Sequence, residues 1–236
     1  MKIQSTENTH QQKIKMVIYG TSGSGKTTSI KTLPHDKTLV ISAESGLLSL
    51  AGTKIDYVDI AVGDDGKVLP AEKRIARLND IVKYLDTDEA KKKYENIAVD
   101  SLTEIGEIIA NYWKSKITDK AKTFEVWGNI GQDQINFIKA MRDNPAYNVI
   151  FLCLEDLDKD EMSRRFYGPS LPGNAATNFL VPAFDLILRL TVDVDGKRYL
   201  QTEPLATVKA KNRGGKLAPQ EPVDLGLLLS KIRKEK

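Results

Sequence analysis

Apolar residues along this chain fall into short runs, and the stretches between them carry helical spacing. Ile14-Lys15-Met16-Val17-Ile18-Tyr19, Leu39-Val40-Ile41-Ser42, Ile55-Asp56-Tyr57-Val58-Asp59-Ile60, Asn96-Ile97-Ala98-Val99-Asp100 and residues 148–154 each predict a strand. The most continuous of them read as strands buried on both faces. Ile75, Leu78, Ile81, Val82 and Leu85 recur every three or four residues, and so do Leu102, Ile105, Ile108, Ile109, Tyr112 and Trp113. Each set predicts a helix with one stripe toward a core. A further helix is expected over 128–143, between Gly128 and Asn144-Pro145, and Gly63-Asp64-Asp65-Gly66 reads as a turn.

Beyond Leu154 the texture changes. Residues 155–174 are polar and hold Gly168-Pro169 and Pro172-Gly173, which predicts a long loop. Three strands follow, over 184–194, 197–202 and 205–210, the first two joined at a hairpin turn, Asp195-Gly196. Alternating strands and helices followed by hairpins predict an α/β fold. Its central sheet is mostly parallel, with helices on both faces and antiparallel additions toward the C-terminus. The expected organisation is an N-terminal arm over 1–13, one domain over 14–222, and a basic helix or tail over 223–236.

Composition narrows the class. The 236 residues are 41% hydrophobic, enough for a core, and the formal charge of +3 does not by itself argue for nucleic acid. From Glu203 to Lys236 there are eight Lys/Arg against four Asp/Glu, so the positive charge concentrates at the C-terminal end. Cys153 is the single cysteine, which leaves no disulfide or thiolate metal site and fits a reducing cytoplasm. Residues 1–13 lack an apolar leader core and no apolar run approaches membrane-spanning length. The expectation is a cytoplasmic protein without membrane attachment.

The chemistry is carried first by Gly20, Thr21, Ser22, Gly23, Ser24, Gly25, Lys26, Thr27 and Thr28, which fill the pattern G-x-x-x-x-G-K-[ST] between a predicted strand and a predicted helix. In that context backbone N–H groups curl around phosphate oxygens, Lys26 reaches the β/γ-phosphates and Thr27 holds Mg²⁺. ATP and Mg²⁺ are the expected ligands. Asp100, at the end of its strand, is placed to orient Mg²⁺ through water; the alternative is a helix N-cap, since Asp100-Ser101 precedes a helix. Glu44 follows the strand after the phosphate loop, where a carboxylate could orient an attacking water; the alternative is a solvated loop acid.

These motifs, in this order, resemble the RecA-type recombinase core, and most of all the small phage-encoded RecA-like ATPases of single-strand annealing and recombination. The resemblance runs from Lys15 to Pro222. It implies that Glu44 is the catalytic glutamate, with Ser42 standing where the family has a first acid, and that Asp100-Ser101 ends the metal-site strand. It also implies a polar sensor after residues 149–154, which falls on Glu155. Residues 172–175 resemble the exit of the DNA-binding loop into a helix. Lys209-Ala210-Lys211-Asn212-Arg213 resembles the segment whose cations reach a neighbouring subunit's γ-phosphate, so Lys211 and Arg213 are candidate trans cations; the alternative is a solvated basic turn. Arg164, Arg165, Phe166 and Tyr167 combine phosphate-seeking and stacking side chains, as single-stranded DNA binding needs, against the alternative of a plain surface hairpin.

The reading is an ATPase that binds single-stranded DNA and promotes annealing or strand exchange in phage recombination, inside the bacterial host's cytoplasm. It implies a homo-oligomer, ring or filament, with ATP at subunit interfaces, and leaves room for a single-strand-binding protein as partner. The competing reading is a P-loop kinase of a small metabolite or nucleotide, with Arg164 and Arg165 as lid arginines. A nucleotide-gated scaffold with negligible turnover is a third.

Overall fold

The computed structural model describes residues 12–44, 46–116, 122–159 and 165–233. The N-terminal residues 1–11 and Arg164 therefore lie outside the described residues. The architecture is the α/β one that the sequence predicts. Parallel strands β1 (Lys15–Gly20), β2 (Thr38–Ser42), β3 (Asp56–Asp59), β4 (Asn96–Asp100), β5 (Asn148–Lys159) and β7 (Leu186–Val192) form the sheet in the order β7-β1-β5-β4-β2-β3. Antiparallel strands β6 (Arg165–Pro169), β8 (Arg198–Gln201), β9 (Lys211–Asn212) and β10 (Gln220–Glu221) are added at β5, β7, β7 and β8.

Strand alternation divides the buried side chains between two faces. Val17, Tyr19, Ile41, Val99, Phe151 and Cys153 point to one face. There they pack on α2 (Ala71–Leu85), α4 (Leu102–Lys116), α5 (Thr123–Asp143) and α6 (Asn174–Ala183). Met16, Ile18, Val40, Ala98, Ile150 and Leu152 point to the other, against Ile30 and Leu33 and against α7 (Leu225–Arg233). Two short elements complete the helices: α1 (Lys26–Ser29), which continues as a 3₁₀ turn to Thr32, and α3 (Asp88–Lys93).

Three expectations change. Residues 155–174 are not a long loop: β5 continues to Lys159 and pairs with β6 as a two-stranded ribbon. Charged residues disfavour strands in isolation, but here the backbone ladder with β6 compensates. Residues 205–208 form a tight turn rather than a strand, with Leu205 and Val208 exchanging backbone bonds. The neighbouring backbone groups bond to the ribbon, Tyr167 donating to Thr207 and Lys209 donating to Tyr167. The C-terminal segment is a helix, as expected, but it belongs to the core. Leu225, Leu228 and Leu229 of α7 are buried under the sheet, each burial contributing about 1.5–3 kcal/mol. Its cations are engaged as well: Lys231 pairs with buried Glu221 and Arg233 donates to Asn148 Oδ1.

Candidate functional site

The carboxyl ends of the parallel strands carry the site. Leaving β1, the chain turns through residues 20–25 and enters α1. Gly20 is required by proximity, since a Cβ there would stand 2.5 Å from the Leu190 carbonyl oxygen. Gly25 is required by conformation: its φ of 106° caps α1 in a region that side chains avoid. Lys26 lies buried behind the loop and donates to the Gly20 and Thr21 carbonyls, both at 2.9 Å. Burial lowers its pKa, against the pull of Glu44 and Asp100. Ser24 Oγ is buried without a hydrogen-bond partner. A loop with its cation held in place and an unsatisfied hydroxyl beneath it fits an anionic ligand.

On one side of β1, β4 delivers Asp100 and β2 leads to Glu44. Asp100 is buried and hydrogen-bonded to the Thr27 side chain; desolvation raises its pKa, with Glu44 adding to the rise. Capping of α4 falls to Ser101, whose hydroxyl accepts from Glu104 N at 3.3 Å. The same hydroxyl donates to Glu44 Oε1 at 2.5 Å, fixing that carboxylate beside the end of β4. Among the described residues no group of three or more His, Cys, Asp or Glu could hold a metal ion. The donor set of one hydroxyl and one buried carboxylate fits Mg²⁺, which keeps waters and takes phosphate oxygens for its other positions.

Glu155 is held by a different partner. Alternation along β5 places it, with Cys153, on the face opposite α1, and Arg189 of β7 holds it in a two-pronged pair at 2.6 and 3.0 Å. The pair is largely buried, with side-chain exposures of 6% for Glu155 and 17% for Arg189. Both carboxylate oxygens are thus engaged by Arg189, although Glu155 still favours the charged form of Lys26, and the β5 residue turned toward the α1 face is apolar Leu154. Sequence reasoning missed Arg189, though an arginine inside the run Leu186–Val192 signals a buried partner.

The ribbon separates the aromatic and basic residues expected to act together. Arg165 is exposed, and Phe166 is half-buried with the Lys209 ammonium 4.0 Å from its ring centre. Tyr167 turns inward, its ring under the Arg189 guanidinium at 4.1 Å. Its backbone oxygen accepts from Tyr19 Oη at 3.2 Å. Tyr167 is therefore part of the ribbon's anchor rather than an open stacking surface. Lys211 and Arg213 lie beside the start of β7, since Ile187 pairs with Lys211, whereas the phosphate loop lies beyond its middle. Lys211 donates to the Val181 and Pro182 carbonyls at the end of α6, and Arg213 pairs with Asp185 at 2.6 Å. Neither is positioned to reach the chain's own phosphate loop.

The model of the AAA domain family matches residues 12–214, from before β1 to just past β9. The chain belongs to this family of AAA domains. It is accordingly a P-loop ATPase domain, and the loop from Gly20 to Thr28 is its candidate nucleotide site. No curated protein matches the chain. Among solved structures it is similar to a prototypical ATPase from the type III secretion system of pathogenic bacteria. The two are 13% identical with a TM-score of 0.47, over 76% of this chain and 52% of the other. The chain thus spans about half the length of that protein. No helix among the described residues of this AAA domain is long and apolar enough to cross a membrane.

Proposed function

We propose that this AAA domain couples ATP hydrolysis to single-stranded DNA binding and promotes annealing or strand exchange, as the resemblance to phage RecA-like ATPases implies. The observation that carries the reading is the β5–β6 ribbon. It grows from the strand lying between the phosphate-loop strand and the Asp100 strand, and it carries exposed Arg165 and half-buried Phe166. A ligand bound along that ribbon bears on the same strand that sets the spacing between Lys26 and Asp100.

Within this reading Glu44, held by Ser101, orients the attacking water, and Lys26 cradles the β/γ-phosphates. Thr27 and, through water, Asp100 would hold Mg²⁺, which when bound neutralises charge on the phosphate oxygens. Lys211 and Arg213 lie beside the start of β7, away from the phosphate loop of their own chain, so a role at a triphosphate is open to them in trans, in a ring or filament. Mixing tests this: a Lys26→Ala subunit with intact Arg213 should partly rescue an Arg213→Ala subunit.

The deciding measurement is phosphate release with and without single-stranded DNA, alongside anisotropy of a labelled oligonucleotide. Binding together with faster release supports the proposal. No binding at low salt removes DNA from it, and phosphate transferred to an acceptor replaces it with a kinase.

A further inference from the structure

The phosphate loop has a second cation beside it that the motif does not contain. Arg198 opens β8, and a methyl group placed on Gly25 would meet its Cδ at 3.3 Å and its Nε at 3.4 Å. The guanidinium thus lies against the last residue of the loop before Lys26. Arg198 is exposed, and among the described residues no ion pair or hydrogen bond engages its side chain.

Its direction follows from register. Arg198 pairs with Val192 and Leu200 with Leu190, so alternation puts all four on one face. Leu190 and Leu200 are buried with Ile30, on the face that carries α1. Arg198 and Val192 therefore continue this face past the end of the sheet, beside the loop. Strand order sets the side of approach: β4 with Asp100 lies two strands from β1 in one direction, and β8 lies two strands away in the other. At roughly 4.8 Å per strand the two strands lie about 10 Å to either side of β1, and both side chains reach in to the loop, Arg198 to Gly25 and Asp100 to Thr27.

We propose that Arg198 binds the nucleotide in cis at its α-phosphate and ribose end, with the half-exposed Val192 as the apolar surface beside it. The proposal rests on nucleotide binding at the loop. Thr27, Asp100 and Glu44 mark the metal and γ-phosphate end, so a triphosphate laid across the loop points its other end toward β8. A guanidinium there offers forked donors to phosphate oxygens that ATP and ADP share. Arg198 is then a uniform-binding residue: it holds substrate and transition state alike and supplies little to the chemical step.

The experiment compares ATP and ADP affinity, by fluorescence anisotropy of labelled nucleotides with competition, for the full chain and for Arg198→Ala, Arg198→Lys and Lys26→Ala. One lost charge-assisted contact predicts about tenfold weaker binding of both nucleotides to Arg198→Ala. Arg198→Lys should fall between, since it keeps charge and loses the fork. KM should rise with Kd, while kcat at saturation falls less than about threefold. The proposal is overturned if both affinities are unchanged, or if ADP affinity holds while kcat collapses, which marks a γ-phosphate contact instead. Lys26→Ala separates the two levels: if it binds nucleotide normally, nucleotide binding at the loop itself fails. If Lys26→Ala loses binding and Arg198→Ala does not, only the Arg198 proposal fails. An unchanged melting temperature for Arg198→Ala confirms that folding is not the cause.

Discussion

The phosphate loop and the β5–β6 ribbon rise from neighbouring strands of one sheet, yet they are built on opposite principles. The loop is local. Its glycines, lysine and threonine act on one another within nine positions, and Lys26 is held by carbonyls five and six residues before it. The ribbon is assembled from distant parts: Glu155 is pinned by Arg189, Tyr167 lies under the same arginine, and Tyr19 and Lys209 close over its backbone. A local device tolerates changes around it and fails when its own residues change. A distributed one loses stability when a remote residue is altered. The same surface chemistry can therefore be robust or fragile according to where its supports lie in the chain.

The largest effect that would test this contrast is Lys26→Ala. On the proposed role of Lys26 at the β/γ-phosphates, its loss should lower kcat/KM by about 10²-fold or more, with little change in melting temperature. Phosphate release and thermal unfolding on the same preparation check both parts. Glu44→Gln should keep nucleotide affinity and slow hydrolysis by about 10²-fold, because the amide preserves shape but accepts no proton. Unchanged hydrolysis would leave Glu44 a loop acid tied to Ser101.

Arg189→Ala examines the ribbon. Removing one partner of a largely buried pair costs about 3–5 kcal/mol, since Glu155 is left without compensation. For a chain of this size that is on the order of 10 °C in melting temperature. Scanning calorimetry should find it, and a Glu155→Gln, Arg189→Met double change should recover part of the loss. A melting temperature equal to wild type would mean that the ribbon does not depend on its remote anchor.

The smallest effects concern DNA. Arg165→Ala should weaken oligonucleotide binding modestly and reduce the salt slope by about 0.7, one phosphate contact. Phe166→Ala should weaken it by about 1–3 kcal/mol at most, with the slope unchanged. Tyr167→Phe should leave binding as it was, because that ring faces Arg189 rather than solvent. Anisotropy across a salt series distinguishes the three.

By itself, the sequence determined what neighbouring residues decide together. Apolar runs placed β1, β2 and β4 to within a residue, because a strand buried on both faces must be apolar along its length. The spacing of Gly20, Gly25, Lys26 and Thr27 pointed to the loop between β1 and α1, since that turn is made mostly by neighbouring residues. The turn at Asp195-Gly196 was legible for the same reason. Tertiary structure alone decided the rest. Residues 155–159 are strand only because β6 lies beside them, and the leucines of α7, outweighed in the sequence by their basic neighbours, find the face beneath α1. Glu155 is bound to Arg189, 34 positions away, and Arg198 meets Gly25 across more than half the chain. Both contacts depend on strand order and register, which arise from the packing of the whole sheet and have no expression in any local window of residues.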